Sequence, residues 1–586
     1  MAHPPIEKLA EDWLRLDKDP ATRDEIYKLL VHGDKPELEK RLRKRIAFGT
    51  AGLRASMQAG FSRLNALTII QASQGLAAYL LEECPDVKHR GVVIGRDARH
   101  NSDKFAKLTA AAMVAKGIRV WWYEDTVHTP LVPFGVGELS AAAGIMITAS
   151  HNPAQDNGYK VYWGNGCQII PPRDVGIANA IEQNLEPVTW DTSVVDEGSL
   201  LIEGALGLVR DAYFRAVRTS AVPEDDPLPK FDNLKFVYTP MHGVGLPYMT
   251  QAVKDLGFGD QMHVVEAQAK PDPTFPTVKF PNPEEKGALD LAQKKADEVG
   301  SSLIIASDPD ADRLAVAEKV DGKWHQFTGN QVGVLLAAHI LSTYPKDKPL
   351  EKLAMLASAV SSRMLSTMAD TEGFKFEETL TGFKWLGNVG LDLEDDGYDV
   401  RFAYEEALGY EIPSVVRDKD SVSAAATFLV ASARWANQEG LTPYQKLQSL
   451  YKKYGHFEDA NTYLVSPSPD TTNTVFAAIR ALADPYPEKV GSRKIQRWRD
   501  LTVGFDSTTE DGVPTLPVDK SSQMITCELE GDVRFTVRGS GTEPKIKLYI
   551  ECRAGSSEEA QKGANDVLQD LLKEWFKPEE NGLKLA

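Results

Sequence analysis

Short apolar runs recur along the chain, and each is followed by a polar turn and an amphipathic, helix-like stretch. The first such runs occupy 91–94, 118–123 and 144–148, and the pattern restarts at 234–238 with 303–306 and again at 353–356. This alternation is typical of α/β layers, so the two restarts predict three related α/β units. Ahead of them, Asp19 followed by Pro20 predicts the capped start of a helix within a helical N-terminal extension.

The end of the chain has a different pattern. Apolar residues alternate with polar ones over 525–529, 533–537 and 546–550, which predicts strands with one buried face. Ser556, with Glu559 three positions later, then predicts the capped start of a helix. One face of that helix is apolar, which we interpret as packing: Ala560, Ala564, Val567, Leu568 and Leu571. The fourth unit is therefore predicted to be an α+β domain.

Composition excludes several classes of protein. At 586 residues the chain is longer than one hydrophobic core supports, which predicts several domains. A formal net charge of −18 argues against nucleic acid as a partner. No apolar stretch approaches the roughly 20 residues that cross a bilayer, and the first residues lack the apolar core of a signal peptide. We therefore expect no membrane partner and a cytoplasmic location, with Cys84, Cys167, Cys527 and Cys552 as reduced thiols.

Ser150 stands where an apolar run ends, in the sequence T-A-S-H-N-P, and Lys160 follows ten residues later. A serine hydroxyl is a poor nucleophile at its ordinary pKa. Such a serine therefore needs an adjacent base, or it already carries the group that is transferred.

Three aspartates alternate after another apolar run, in D-P-D-A-D-R: Asp308, Asp310 and Asp312. Oxygen ligands without cysteine or histidine favour magnesium, calcium or manganese. A calcium EF-hand would need glycine and glutamate where Arg313 and Lys319 stand, so that type of site is excluded. A solvated acidic turn is the alternative.

Two further loops contain residues that suit a phosphosugar. Arg538 to Lys545 reads R-G-S-G-T-E-P-K, a turn with main-chain N–H groups, hydroxyls and flanking cations that suits a phosphate; an ordinary hairpin turn is the alternative. Glu405 and Glu406 follow a strand-like run, where carboxylates can accept sugar hydroxyls. A solvated acidic face is the alternative there.

These four motifs occur in the order and at the spacing of the α-D-phosphohexomutase superfamily, which the chain resembles over nearly its whole length. Within it, the chain is most similar to the phosphoglucomutase-2 or phosphopentomutase group. Glucose-specific relatives read G-E-E-S at the sugar loop, whereas Tyr404 and Ala407 flank the two glutamates here. The later K-D-G of many relatives is also altered, to Lys419, Asp420 and Ser421.

The resemblance implies a fold and a domain division. It predicts three related mixed α/β domains and a C-terminal α+β domain, similar to the TATA-box-binding protein, around a central cleft. The expected boundaries are 1–217 with the serine loop, 218–328 with the metal loop, 329–455 with the sugar loop and 456–586 with the phosphate loop.

The resemblance also implies a role for each site residue. Catalytic roles are expected for Arg54, Ser150, His151, Lys160, Arg313 and Lys384. One Mg²⁺ is expected on phosphorylated Ser150, Asp308, Asp310 and Asp312. Substrate contacts are expected from Arg54, Asn152, Asp312, Arg313, Thr381, Gly382, Lys384, Glu405 and Glu406, and phosphate contacts from Arg538, Ser540, Gly541, Thr542 and Lys545. Arg96 is a further candidate for the basic pocket.

The implied reaction interconverts the 1- and 5-phosphates of ribose or deoxyribose, and the 1- and 6-phosphates of glucose, through a sugar bisphosphate that also serves as activator. We expect Lys160 to be the base, with a lowered pKa, and a simple phosphate counter-ion is the alternative role. Phosphoglucomutase activity, bisphosphate synthesis from an outside phosphoryl donor and an inactive homologue are the alternatives for the chain. The oligomeric state, monomer or dimer, and the preferred sugar stay open.

Overall fold

The computed structural model describes residues 4–50, 52–222, 227–230, 234–540 and 544–585. It separates into two compact units, each built from two chain segments. Unit 1 contains residues 1–348 and 382–443, and unit 2 contains 349–381 and 444–586. The division falls inside the third predicted domain, and the four domain boundaries stay a prediction.

Unit 1 opens with a small helical subdomain. Asp19 caps the second helix and accepts a hydrogen bond from the Ala21 N–H, as the Asp-Pro pair predicts. Trp13, Ile26 and Leu38 bury the inner faces of three helices against Phe61 and its neighbours. These helices are α1 (Ile6–Leu16), α2 (Pro20–His32) and α3 (Lys35–Leu42).

The first sheet of unit 1 carries the serine loop. Its strand order is β1-β5-β4-β2-β3-β6, with parallel pairing from β4 through β6 and antiparallel pairing of β5 with both neighbours. Its elements are β1 (Leu53–Ser56), α4 (Ala66–Glu83), α5 (Val87–Arg90), β2 (Val92–Arg96), α6 (Ser102–Ala115), β3 (Val120–Trp122), α7 (Leu131–Glu138), β4 (Ala143–Ile147), β5 (Asp156–Trp163), α8 (Arg173–Gln183), α9 (Ser193–Asp196), β6 (Ile202–Gly204) and α10 (Leu206–Ala221). Strands β2 and β4 are buried throughout, as parallel strands covered on both faces require.

The second sheet of unit 1 carries the aspartate loop. Its strand order is β11-β10-β9-β7-β8, with β9 at the centre and buried along its whole length. Its elements are β7 (Phe236–Thr239), α11 (Leu246–Asp255), β8 (Met262–Val264), α12 (Asp290–Val299), β9 (Leu303–Ser307), β10 (Leu314–Val320), β11 (Lys323–Gln326) and α13 (Gly329–Thr343). The aspartates occupy the turn between β9 and β10, at the carboxyl end of the central strand.

The third α/β region is shared by the two units. Unit 2 holds the parallel pair β12 (Leu353–Ser358) and β13 (Lys375–Thr379) with α14 (Met364–Glu372) between them. Unit 1 holds α15 (Phe383–Asp395), the antiparallel pair β14 (Asp399–Glu405) and β15 (Gly409–Glu411), and α16 (Ser421–Arg434). Glu405 is the last residue of β14, where the sugar loop was predicted.

The rest of unit 2 contains α17 (Pro443–Tyr454), which falls in the third predicted domain, and the predicted α+β domain that follows it. Antiparallel strands pair in the order β18-β19-β21-β22-β23-β17-β24, with β20 on β19 and β16 on β23. The elements of that domain are β16 (His456–Asp459), β17 (Thr462–Val465), α18 (Pro469–Arg480), β18 (Lys489–Val490), β19 (Arg493–Asp500), β20 (Phe505–Asp506), β21 (Met524–Leu529), β22 (Val533–Gly539), β23 (Lys545–Ala554), α19 (Ser557–Leu571), α20 (Pro578–Asn581) and β24 (Lys584–Leu585). Ser556 caps α19 by accepting from the Glu559 N–H, as predicted.

The helices and the cysteines bear on the expectations about membrane spans and thiols. Among the residues described, no helix combines the length and apolarity that crossing a membrane requires. The four cysteines are free thiols, and Cys167, Cys527 and Cys552 are buried.

Candidate active site

Ser150 lies in a tight turn directly after β4. Its φ of 53° is in the left-handed region, and only 2% of the residue is exposed. Its N–H donates to Thr148 Oγ1 at 2.9 Å, and its hydroxyl donates to Asp308 Oδ2 at 3.1 Å. His151 Nδ1 lies 3.5 Å from the Ser150 Oγ. The serine predicted from one loop therefore meets the aspartate predicted from another.

Arg99, which none of the motifs contains, holds the serine loop in place by hydrogen bonds to its carbonyl groups. Its buried guanidinium donates to the carbonyl oxygens of Ser150 (2.5 Å), Asn152 (2.6 Å) and Pro153 (2.9 Å). The five N–H donors of a guanidinium group, held in a rigid planar arrangement, suit such a cluster of carbonyls. The signal available in the sequence was its place in G-R-D-A-R, just after a strand.

The three aspartates form a closed cluster. All three are fully buried, and one carboxylate oxygen of each lies within 4.8 Å of the others. Ala311 adopts a φ of 50°, which turns the loop so that the N–H groups of Asp312 and Arg313 both donate to Asp308 Oδ1. Thr129 reaches the same loop and donates to Asp310 Oδ2 at 2.6 Å.

Two lysines neutralise part of this negative charge. Lys160 Nζ lies 2.9 Å from both Asp310 Oδ2 and Asp312 Oδ2, and Lys419 Nζ lies 2.8 Å from Asp312 Oδ2. Lys419 was not among the predicted site residues. The K-D-S tripeptide that contains it departs from the K-D-G pattern of many relatives, and the sequence alone assigns its lysine no role.

The carboxyl groups titrate differently within the cluster. Burial, together with Asp310 and Asp312, raises the pKa of Asp308 well above its ordinary value. Burial also acts to raise the pKa of Asp310, but Lys160 and Lys419 outweigh it and hold that pKa below its ordinary value. The pKa of Asp312 is likewise lowered despite burial and the neighbouring Asp310, because the same two lysines face it.

The expected lowered pKa of Lys160 is wrong for this arrangement. Burial alone would lower the pKa of Lys160, but Asp310 and Asp312 raise it above its ordinary value. His151 behaves in the opposite way, because burial and then Arg313 and Arg54 lower its pKa well below the ordinary value. Of the two candidate bases, His151 is the neutral one here and Lys160 is the cation.

The aspartate cluster has the oxygen ligands, and the unpartnered carboxylate oxygens, that a hard cation such as Mg²⁺ requires. Within the described part of the chain, Asp310 Oδ1 and Asp312 Oδ1 are buried without a hydrogen-bond partner. Buried carboxylate oxygens of this kind are costly unless something else binds them. Three carboxylates are the type of ligand that Mg²⁺ prefers.

Arg313 links the aspartate loop to the sugar loop. Its guanidinium donates to the Ala407 carbonyl, and its backbone bridges to Gly409. Glu405 accepts a hydrogen bond from the Gly382 N–H. Burial and the adjacent Glu406 raise the pKa of Glu405 to about 7. Position 407, which separates this sequence from the glucose-specific pattern, thus stands inside the contact between the two loops.

The remaining predicted residues of unit 1 are placed as follows. Arg54, on β1, donates to Asn152 Oδ1 at 3.2 Å. Lys384, in the first turn of α15, donates to Thr50 Oγ1, and Gly382 begins that helix with a φ of 109°. Arg96 is not part of this group: it pairs with Asp103 at 2.9 Å and donates to the Tyr123 carbonyl. Its role is to hold the first sheet to its connecting loop.

The predicted phosphate residues belong to unit 2. Arg538 is on β22, and its guanidinium faces the Tyr549 ring. Ser540 N–H donates to the Lys545 carbonyl at 2.8 Å, which closes the hairpin between β22 and β23. Gly541 and Thr542 lie outside the described residues. Thr381 is the last residue of the first segment of unit 2 and directly precedes Gly382.

Family profiles match four consecutive stretches of the chain. They are described as phosphoglucomutase/phosphomannomutase α/β/α domain I (residues 45–187), domain II (211–322), domain III (328–454) and the C-terminal domain (519–569). The chain belongs to this family. The four-domain α/β architecture and the phosphohexomutase resemblance predicted from the sequence are thereby confirmed.

Relatives and a solved structure agree with that membership. A protein of Schizosaccharomyces pombe named "Probable phosphoribomutase" is 49% identical over 99% of this chain and 99% of its own. A human protein named "Glucose 1,6-bisphosphate synthase" is 40% identical over 99% of this chain and 96% of its own. The crystal structure of a phosphoglucomutase/phosphomannomutase family protein from Burkholderia thailandensis shares the fold, with a TM-score of 0.65, 20% identity and coverage of 90% of this chain and 98% of its own.

Proposed function

We propose that this phosphomutase interconverts the 1-phosphate and 5-phosphate of ribose or deoxyribose, and more slowly the 1- and 6-phosphates of glucose. The observation that carries the proposal is Ser150, which is held on a strained turn with its hydroxyl on Asp308 inside a buried carboxylate cluster. The name of the 49% identical relative supports a pentose as the sugar.

The proposed reaction has two halves. In the first, the bond between phosphorus and the Ser150 oxygen breaks and a bond forms from phosphorus to a sugar hydroxyl oxygen. That sugar hydroxyl gives its proton to a base, and the Ser150 oxygen takes up a proton to become a hydroxyl. The sugar bisphosphate then reverses its orientation. In the second half the bond between its other phosphorus and the sugar oxygen breaks, that sugar oxygen takes up a proton, and the phosphoryl group moves to Ser150, which gives its hydroxyl proton to a base. The sum is an isomerisation with no net consumption of phosphate.

Asp308, Asp310, Asp312 and the Ser150 ester would hold one Mg²⁺, the proposed cofactor. When bound, that ion would withdraw electron density from the phosphoryl group and offset its negative charge. Phosphoryl transfer depends mainly on positioning and charge stabilisation. Lys160, Lys419 and Arg313 already supply fixed positive charge around the cluster, and Arg99 fixes the position of the serine.

The remaining contacts have matching roles in the proposal. Glu405 would accept sugar hydroxyls, and Lys384 and Arg54 would face the substrate's charged end. In unit 2, Arg538, Ser540 and Lys545 would hold the phosphate that does not react. His151 is the proposed proton acceptor, because its Nδ1 lies 3.5 Å from the reacting oxygen. We further propose a cytoplasmic enzyme whose partners are small-molecule sugar phosphates.

The test compares sugars and intermediates on one protein. We expect kcat/KM for ribose 1-phosphate to exceed that for glucose 1-phosphate, and mass spectrometry to detect a phosphate on Ser150 after incubation with a sugar bisphosphate. Ala407→Ser should raise the glucose value by up to about tenfold, the worth of one hydrogen bond. A wild-type preference for glucose 1-phosphate would overturn the choice of pentose, and an absent Ser150 adduct would overturn the mechanism.

Glucose 1,6-bisphosphate synthesis is the second candidate, because a relative with that name is 40% identical over nearly the whole chain. The two functions differ in what accumulates. A mutase keeps the bisphosphate at catalytic amounts, whereas a synthase releases it in proportion to an added phosphoryl donor. Free bisphosphate that grows with donor concentration would favour the synthase.

A further inference from the structure

Unit 1 contains a cavity lined by arginines, away from the aspartate cluster. Its volume is ≈ 670 Å³, within the range of small-molecule sites. Its walls come from the last turns of α10 and α13, the start of β14, the segment after β15, and the C-terminal half of α16. Ile412, His339 and Thr427, each 4% exposed, form its buried floor.

Arginines line this cavity, and one of them, Arg401, is already paired with the neighbouring carboxylate of Asp399. Three arginines line it, Arg215, Arg401 and Arg434, and no carboxylate residue is among its described lining. The chain as a whole carries a net charge of −18, so a surface lined by arginines differs from the chain's overall acidic character. Arg401 Nε and Nη2 donate to the two carboxylate oxygens of Asp399, at 2.5 and 2.9 Å, and these bonds fix the orientation of the guanidinium. An anion held by several guanidinium groups is the ligand class that this charge favours.

Hydroxyl groups complete the lining. Ser220 Oγ and Ser414 Oγ lie 2.8 Å apart, which ties the end of α10 to the segment after β15. Thr219, Thr343 and Tyr344 add further hydroxyls to the same surface, of which those of Thr343 and Tyr344 already donate to the His339 carbonyl and to Asp399 Oδ2. The oxygens of a phosphate group accept several hydrogen bonds at once, and guanidinium and hydroxyl groups are suitable donors.

The cavity is separate from the catalytic cluster but shares its supporting elements. Helix α16 begins at Ser421, two residues after Lys419, and ends at Arg434, about 20 Å away at 1.5 Å per residue. On β14, Arg401 lines the cavity and Glu405 ends the same strand at the sugar loop. A ligand in the cavity would therefore contact elements that position both Lys419 and Glu405.

We propose that this cavity is a second binding site, for a small phosphorylated metabolite held by Arg215, Arg401 and Arg434. The site is distinct from the catalytic one, and the inference does not depend on which sugar the enzyme isomerises. The phosphate group would occupy the arginine side of the cavity, and the uncharged part of the metabolite would lie over Ile412 and Tyr344.

Hydrogen–deuterium exchange on the full-length protein with Mg²⁺ tests the location. Inorganic phosphate is the probe, and sodium acetate at equal ionic strength is the control. We expect phosphate, and not acetate, to slow exchange in peptides that cover 206–221 and 421–434. No protection in these peptides would overturn the site, and equal protection by acetate would overturn the assignment to phosphates.

Calorimetric titration with inorganic phosphate tests the residues. The variant Arg215→Ala with Arg434→Ala should bind phosphate at this site at least about tenfold more weakly, because two charge-assisted contacts are lost. Arg538→Ala, at the phosphate loop of unit 2, and Arg119→Ala, a half-exposed arginine elsewhere in unit 1, should keep it. If the double variant titrates like the wild type, the proposal is wrong. The single variant Arg215→Ala, at an exposed helix position, provides the same comparison should the double variant fold poorly.

Discussion

Each unit contains a buried cluster of charged side chains, and the two clusters are built on opposite principles. In unit 2, Glu378 on β13 is held between Arg499 and Arg534, so that one carboxylate meets two guanidinium groups. In unit 1, three carboxylates meet Lys160, Lys419 and Arg313, yet two of their oxygens keep no hydrogen-bond partner among the described residues. In the unit 2 cluster both oxygens of the Glu378 carboxylate are paired and, among the described residues, Arg499 Nε and Nη2 are the atoms that lack a hydrogen-bond partner; in the unit 1 cluster two carboxylate oxygens lack one.

That difference separates a structural ion cluster from a functional one. Burial would raise the pKa of Glu378, but Arg534 and Arg499 lower it to about 2, so the carboxylate is stable as an ion. In unit 1 burial and neighbouring carboxylates raise the pKa of Asp308, which means that its charge is unfavourable until a cation arrives. Strained buried charge of this kind concentrates at functional sites. Variants in the two clusters should therefore fail in different ways.

The largest expected effect is on turnover. Ser150→Ala should lower kcat by at least about 10³-fold, since it removes the atom that carries the phosphoryl group, while the melting temperature changes little. Steady-state kinetics and thermal melting measure the two quantities, and Ser342→Ala, an exposed serine on α13, is the control. Substantial turnover by Ser150→Ala would show that the unit 1 cluster does not serve a phosphoserine.

The next effect is on stability. Glu378→Gln should lower the free energy of unfolding by about 3 kcal/mol, because it leaves two buried guanidinium groups without their carboxylate. Chemical denaturation measures the change. Glu377→Gln, the neighbour on β13 whose partner Lys375 is half-exposed, should cost less than about 1 kcal/mol. Equal losses of unfolding free energy in the two variants would show that the buried ion pairs of Glu378 stabilise the protein no more than the half-exposed pair of Glu377.

A third effect is the pH dependence of that stability. The pKa of Glu378 is lowered on folding, from an ordinary value of 4.5 to about 2. A carboxyl of this kind adds stability above its unfolded-state pKa and loses it as the pH falls toward the folded-state value. The difference in unfolding free energy between wild type and Glu378→Gln should therefore shrink as the pH falls from 4.5 toward 2. Urea denaturation across that range checks it, and a constant difference would contradict the assignment.

The smallest effect should have the opposite sign. Asp308→Asn in the magnesium-free protein should leave the unfolding free energy unchanged or raise it by up to about 1 kcal/mol, because it removes one of three buried like charges. Addition of Mg²⁺ should raise the melting temperature of the wild type and not of the variant. A strongly destabilised Asp308→Asn protein would mean that the carboxylate of Asp308 is as well compensated by its neighbours as that of Glu378.

The sequence predicted the positions where strands end far better than it predicted the partners of the side chains. Ser150, Asp308 and Glu405 each follow an apolar run, and each lies at or just after the end of a strand. Lys419 and Thr129 were missed because they reach Asp312 and Asp310 from distant parts of the chain. The pocket role of Arg96 stays a prediction, and in the structure its guanidinium donates to the Tyr123 carbonyl.

The pKa of Lys160 illustrates the limit further. The direction in which this pKa is shifted depends on two carboxylates, which lie 150 and 152 residues away along the chain. A pattern of residue types gives the presence of lysine and aspartates but not which oxygen each ammonium group contacts. The domain boundaries stay a prediction, because the compact units cut across the third expected domain.

The segmented construction of unit 2 also has a consequence during synthesis. Residues 349–381 leave the ribosome well before 444–586, and Glu378 waits for Arg499 and Arg534, which are 121 and 156 positions further on. At about 5–20 residues per second, that interval lasts on the order of ten seconds. During that interval the segment 349–381 lacks the two arginines that pair with Glu378. A nascent chain stalled near residue 450 should therefore expose 349–381 to proteases.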